Sequence, residues 1–370
     1  MGGQNLFKDP EIFDTNYIPE QFSFRDEQMR ELAFSIRPAM KGSRPFNSVI
    51  CGLPGTGKTT SVRKLFSDVE EATKNILPIY INCKNDRTRF SIFATIFDRI
   101  FGHYPPTSGI AFRRIYNEIG NYLERSRKVA VVCLDDANYL IFEDHLNDAL
   151  YSLLRIYEEF PGVKLGVIMT VSNMDLDFIE KLDPAVLSVF RPGEIYFSPY
   201  GNEEIRKILS QRVKMGLYPG VISNDILDMI VEKTVASGDV RVGLELIRRS
   251  VENAERAARK EILEEDVVDS ASCFGVRDVH LRDAVLALSA DEKNLLRVIA
   301  GESRRNAGGL TSGNLYKSVK GIFPVSYTAY YKRLEKFESL RIIDTRFFNG
   351  RGKTREILLR YEAEEVLGVL

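Results

Sequence analysis

"FNSVICGLPGTGKTTSVRKLF", residues 46–66, decides the fold. A short apolar strand-like run passes through a glycine-rich turn into a helical pattern. Gly52, Gly57, Lys58 and Thr59 satisfy G-x-x-x-x-G-K-S/T without a mismatch, in the strand–loop–helix context that the pattern requires. The glycines let the backbone wrap a phosphate, and the loop amides and the helix N-terminus carry partial positive charge. Lys58 is expected to neutralise the β and γ oxygens, and Thr59 to offer its hydroxyl to Mg²⁺. With Pro54, Gly55, Thr56 and Thr60 these residues form the expected cradle for ATP or ADP.

A second Gly-Lys-Thr stands far downstream in "FFNGRGKTREILLRY", residues 347–361, but Phe347 occupies the position of the first glycine. The flanking runs "LRIIDTRFF" and "TREILLRY" predict two strands, with the basic stretch 349–353 as the turn between them. Upstream, 289–302, 311–323 and 326–338 carry helical patterns. Three helices followed by a basic-tipped hairpin predict a winged helix. The 326–338 helix would enter the major groove of double-stranded DNA with Thr328, Lys332 and Arg333. Arg351, Lys353 and Arg355 of the hairpin would lie along the backbone or in the adjacent minor groove. Tyr327, Tyr330, Tyr331, Leu334 and Phe337 form the expected core stripe of that helix, with Ala329 and Lys336 among the residues on its other side. A solvated charged hairpin is the competing reading.

Charge supports a nucleic-acid-binding end. The chain carries a net charge of −1, yet from Leu281 onward there are 16 basic against 11 acidic residues, and before it 35 against 41. A basic module joined to a mildly acidic one suggests dedicated polyanion binding.

A chain of 370 residues implies two or three domains. The longest apolar runs, such as "VAVVCL" (129–134), have strand length and fall far short of the roughly 18 residues of a membrane span. No signal-peptide region stands at the N-terminus, so the sequence reads as cytoplasmic and nucleoid-associated, with no membrane partner. Four scattered cysteines and three distant histidines point to buried reduced thiols and argue against a zinc site or a His-based nucleophilic triad.

"KVAVVCLDDANYL" (128–140) predicts a strand ending in two acids, Asp135 for Mg²⁺ and Asp136 where a base for water attack would stand. "VKLGVIMTVSNM" (163–174) ends at Asn173, an amide placed either to orient the attacking water or to cap the next segment. Arg241 starts an amphipathic stretch within 237–261. It is either a surface arginine or a sensor of the γ-phosphate.

Taken in order, these motifs resemble an AAA+ ATPase, and in particular the archaeal origin-recognition and cell-division-control initiators, relatives of the eukaryotic origin recognition complex and its loading factor. "YIPEQFSFRDEQMREL" (17–32), "YINCKNDRTRFSIF" (80–93), "LDPAVLSVFRPGEIYFSPYGNEEIRKIL" (182–209) and "SGDVRVGLELIRR" (237–249) are similar to that family's internal blocks. The resemblance implies an α/β fold: an AAA+ P-loop core with a parallel sheet over 1–200, an α-helical lid over 201–278 and a C-terminal winged-helix domain over 279–370. It makes Asp135 the Walker B acid, Asn173 sensor 1 and Arg241 sensor 2, with Tyr17, Ile18 and Pro19 lining the adenine pocket. Arg191 is the nearest arginine-finger candidate toward a neighbouring subunit. Residues 101–119, with Arg113 and Arg114, resemble an insertion that grips the minor groove, against the alternative of a solvated helix. Origin DNA, other initiator subunits or paralogues, and the replicative helicase are the implied partners. Asp136 departs from the family's usual glutamate by one methylene, so the expected ATPase is slow. Two alternatives stand beside this: an AAA+ DNA motor of the branch-migration type, and a non-hydrolysing, nucleotide-gated DNA-binding regulator.

Overall fold

The computed structural model describes residues 5–19, 23–106, 111–172, 182–273, 278–305, 310–340, 342–347, 355–361 and 363–370. The chain divides into two compact units, Asn16–Tyr200 and Met1–Thr15 with Gly201–Leu370.

The first unit runs α1 (Asp26–Met40), β1 (Ser48–Gly52), α2 (Lys58–Ala72), β2 (Ile76–Asn82), α3 (Arg89–Phe101), α4 (Phe112–Ser126), β3 (Val129–Asp135), α5 (Asn138–Phe142), α6 (Leu146–Leu154), α7 (Ile156–Glu159), β4 (Lys164–Val171), α8 (Pro184–Phe190) and β5 (Gly193–Phe197). Its five strands pair in the order β2-β3-β4-β1-β5, all parallel. Alternate residues of the strands feed two cores. Val49, Ile79, Ile81, Val132, Leu134, Val167 and Met169 join Ile92, Phe93 and Ile119 on one face. Ile50, Val131, Cys133, Ile168 and Ile195 join Leu32, Ile36, Val62 and Leu65 on the other. Burial on both faces explains why these strands read as continuous apolar runs rather than alternating ones.

The second unit holds a helical part and a winged part. Helices α9 (Asn202–Gly216), α10 (Asn224–Ser237), α11 (Val240–Arg256) and α12 (Glu264–Cys273) pack on one another in sequence. The leading residues group with them. Phe7 bridges to Leu217, the Lys8 N–H donates to the Gly216 carbonyl at 2.8 Å, and buried Arg212 donates to the Ile12 carbonyl at 3.0 Å. Then follow α13 (Asp278–Leu286), α14 (Ala290–Arg305), β6 (Leu310–Thr311), α15 (Ser312–Ile322), α16 (Tyr327–Ser339), β7 (Ile343–Phe347), β8 (Arg355–Leu359) and α17 (Ala363–Val369). The three short strands form an antiparallel sheet in the order β6-β8-β7. Leu295, Ile299, Leu315, Val319, Tyr330, Leu334, Phe337 and Ile357 fill the core beneath it. This is the expected winged helix.

Two details of α16 differ from the sequence expectation. Tyr327 is 56% exposed rather than core. It sits in a surface cluster with Tyr316 and Tyr331, at centroid distances of 5.2 and 4.6 Å, while Tyr330 lies 5.1 Å from Tyr316. Lys336, assigned to the outer side, is only 4% exposed, its ammonium 2.8 and 2.9 Å from the two Glu292 carboxylate oxygens. Arg333 is likewise tied to Asp291 at 2.9 Å. The cause is a second inward row. Ala329, Arg333, Lys336 and Leu340 share one side at i, i+4, i+7 and i+11, and the acidic first turn of α14 meets two of them. Burial alone would raise the Glu292 carboxyl, but hydrogen bonds from Lys336 and Ser289 outweigh it and hold the group below its usual value. The exposed row is therefore Thr328, Lys332 and Glu335.

Candidate functional site

The candidate nucleotide site gathers at the carboxyl ends of β1, β3 and β4, where parallel sheets of this kind leave a crevice for ligands. A Cβ on Gly52 would lie 2.4 Å from the Phe197 carbonyl, so glycine alone lets β5 and the loop approach so closely. Gly52→Ala should cost about 1–3 kcal/mol, the range for forced overpacking, and lower the melting temperature. A variant melting with wild type would show that β5 yields instead. Gly55 and Gly57 adopt left-handed backbone, with φ of 74° and 91°, and turn the chain into α2. The buried Lys58 ammonium donates to the Gly52 and Leu53 carbonyls at 2.8 Å each. Thr56 folds its hydroxyl onto the Leu53 carbonyl at 2.8 Å, with Pro54 and Thr60 half-buried nearby.

Asp135 ends β3 and is 2% exposed. Its Oδ2 accepts from the Thr59 hydroxyl at 2.8 Å and the Tyr80 hydroxyl at 2.5 Å, and its Oδ1 accepts from Thr170 at 2.6 Å. Burial first, then the Asp135 charge, push the Tyr80 hydroxyl far above its usual pKa, so it stays protonated as a donor. Asp136 leaves the strand in left-handed backbone, φ 54°. Its N–H donates to Thr170 Oγ1 at 2.9 Å, and its Oδ1 accepts from Ser172 at 3.0 Å. Thr170 thus splices the two acids together. The Thr59 hydroxyl and Asp135 carboxylate are a hard-oxygen pair suited to Mg²⁺, which takes one or two carboxylates and completes its shell with phosphate and water. Among the described residues no group of three or more His, Cys, Asp or Glu is placed to hold a metal, so a cation here would depend on the nucleotide. Cys83 and Cys133 are fully buried behind these acids, and burial pushes both thiols well up.

The fold brings Lys58, Thr59, Asp135 and Asp136 together in one unit. Tyr17, Ile18 and Pro19 are half-buried on the approach to α1. Asn173 lies outside the described residues, as do Arg351 and Lys353. Arg241, in the other unit, lays its guanidinium across the Asp239 carboxylate that also caps α11. Arg191 is exposed on a left-handed turn between α8 and β5, beside Phe34 and Phe46 in a cleft of about 530 Å³. Arg113 pairs with Glu159 at 2.6 Å and Arg114 with Glu118 at 3.0 Å, so both expected DNA contacts on α4 already hold acids. Thr328 and Lys332 are exposed on α16, and Arg355 is half-buried at the start of β8. The sequence reasoning missed Tyr80, Thr170 and Ser172 around the acids, and Arg25 behind the loop. The hydroxyls at the tip of the strand beside β3 were the available signal. Arg25 had none.

A phosphate loop on an inner strand, an acidic tip two strands away and helices following the sheet define a nucleotide-binding protein of the AAA+ ATPase class. Residues 44–178 match the AAA domain family and residues 206–272 the Cdc6 AAA+ ATPase-type lid domain. The chain is 42% identical to ORC1-type DNA replication protein 2 of Methanosarcina acetivorans, over 99% of its own length and 96% of that protein's. It is 41% identical to ORC1-type DNA replication protein 3 of Haloarcula marismortui, over 98% and 96%. The chain belongs to the family of ORC1-type DNA replication proteins. The solved Aeropyrum pernix ORC1 protein in complex with DNA is similar at TM-score 0.75 and 25% identity, covering 98% of this chain and 96% of that one. The Aeropyrum pernix ORC2 protein, solved as ADPNP–ADP complexes, shares the fold at TM-score 0.66 and 24% identity, over 99% and 97%.

Proposed function

We propose that the chain is a replication initiator that binds double-stranded origin DNA under the control of bound ATP or ADP, with slow hydrolysis as the switch. The contact between Thr59 and Asp135 carries the nucleotide half, because it joins the loop and the acidic strand into one site. Thr59 and Asp135 would hold Mg²⁺, which offsets charge building on the phosphates. Lys58 would turn from the loop carbonyls to the β and γ oxygens. Asp136 would take the proton of the attacking water, held in place by Ser172, and Asn173 and Arg241 would be the sensors of the γ-phosphate. Tyr17, Ile18 and Pro19 would line the adenine, and Arg191 would reach a neighbouring initiator subunit or paralogue. The chain would then comprise a nucleotide core up to 200, less the leading residues 1–15 that group with the lid, a helical lid from 201 to 278 and a winged helix from 279. Loading of the replicative helicase would follow origin binding.

The winged helix carries the DNA half, supported by the DNA complex of the related ORC1 protein. The exposed row Thr328 and Lys332 would face base edges, with Arg351, Lys353 and Arg355 on phosphates. Arg333 serves less well than the sequence suggested, since Asp291 already holds it. Replacing Arg351 and Lys353 together by alanine should weaken duplex binding and lower the slope of log affinity against log salt by up to about two ionic contacts. An unchanged slope would leave the hairpin a bystander and remove the DNA half of the proposal.

A further inference from the structure

Arg25 lies within the family-like block 17–32, but none of the roles described above falls to it. It stands at the head of α1 and is 2% exposed. Its guanidinium makes three hydrogen bonds, all to main-chain carbonyls: Nε to Thr56 at 3.0 Å, one terminal nitrogen to Phe24 at 3.0 Å and the other to Ser198 at 2.6 Å. The Tyr200 ring lies beneath it, 3.8 Å to the centroid, and the Phe197 ring at 5.6 Å. Among the described residues no carboxylate pairs with it. A buried cation without an anion is costly, and here carbonyl dipoles and ring faces offset that cost while leaving its charge in place. The preceding residue is strained as well. Phe24 takes left-handed backbone, φ 67°, which a bulky aromatic tolerates only where surrounding bonds over-determine it.

The Thr56 contact has a geometric consequence. In a trans peptide the carbonyl and the following N–H point to opposite sides. With the Thr56 carbonyl drawn to Arg25, the Gly57 N–H must face away from it, to the side the loop presents to phosphate. The Ser198 contact fixes the strand end against which Gly52 packs. We propose that Arg25 is a positioning residue for the phosphates of a nucleoside di- or triphosphate: it locks the Gly57 amide into the cradle and adds an unneutralised positive charge behind it. This rests on the nucleotide-binding reading of the loop.

The test uses the full chain with Arg25→Gln, which removes the charge but keeps an amide donor, and Arg25→Lys, which keeps the charge but not the fork. ADP affinity is measured by calorimetry, AMP affinity by competition against a fluorescent ADP analogue, and melting temperature without nucleotide. ADP affinity should fall about tenfold in Arg25→Gln, as expected for loss of a charge-assisted contact, with Arg25→Lys in between. AMP, which lacks the β-phosphate, should lose less than twofold. ADP affinities within twofold of wild type in both variants would overturn the proposal. So would equal losses for ADP and AMP, which would mark Arg25 as a general support of the fold. If Arg25→Gln does not fold, the ADP-to-AMP comparison in Arg25→Lys decides by the same criterion. Failure of the wild-type chain to bind ADP would instead remove the nucleotide site itself.

Discussion

Lys58→Ala should bind ATP and ADP on the order of 10² to 10³-fold more weakly than the wild-type chain. Truncating one member of a buried, hydrogen-bonded charge contact costs about 2–5 kcal/mol, and each 1.4 kcal/mol is about tenfold in affinity. The Lys58 ammonium is the loop's own cation, and it donates to the Gly52 and Leu53 carbonyls. The rest of the loop is backbone dipole, and Arg25 stands behind it rather than at the phosphates, so neither replaces that charge. The fold should survive, because Lys58 begins α2 at a loop junction and belongs to neither apolar cluster of the sheet. Calorimetry with ATP on both proteins is the check. Equal affinities would remove the phosphate-loop assignment.

The second large effect concerns Asp136. A carboxylate one methylene short of glutamate stops about 1.5 Å from where the longer side chain would reach, and misplacement on the order of 1 Å can cost about 10²-fold in rate. Turnover should therefore be slow while binding of Mg²⁺ and ATP stays intact. Asp136→Asn should abolish hydrolysis without loosening ATP. It is a clean substitution, because left-handed backbone at φ 54° suits asparagine as well as aspartate. Asp136→Glu should restore reach and speed cleavage, less a backbone cost of about 1 kcal/mol in that conformation. Single-turnover cleavage of bound ATP in the three proteins decides the matter. An Asn variant as fast as wild type would mean that Asp136 is not the base, and would favour the gated, non-hydrolysing regulator.

Much of the fold was legible because it rests on local periodicity. The glycine loop, the buried strands and the three helices before the wing each announce themselves within a dozen or so residues. The contacts that tune the site are different in kind. Tyr80 reaches Asp135 across 55 positions and Arg25 reaches Ser198 across 173, and neither distance leaves a trace in the linear pattern. Lys336 shows the same blindness from the other side. A lysine among polar neighbours reads as solvated, and only the fold reveals that Glu292, 44 residues earlier, waits beneath it. The exposed pair of Arg113 with Glu159 spans 46 positions and was equally hidden, whereas that of Arg114 with Glu118, at i and i+4, was open to a reading of helical spacing.

The tyrosine cluster of α15 and α16 has an optical consequence. The chain contains 16 tyrosines and no tryptophan, so phenol rings dominate its ultraviolet emission. In a group of four, Tyr316, Tyr327, Tyr330 and Tyr331, each ring lies 4.6–5.6 Å from two others, and the first turn of α16 carries Tyr327 at the surface. Rings so close exchange excitation, so a base stacked against Tyr327 would drain light from its neighbours too. Unlabelled protein thus carries its own lamp at the helix proposed to enter the groove, and dimming on titration with duplex would follow that helix's engagement without any dye.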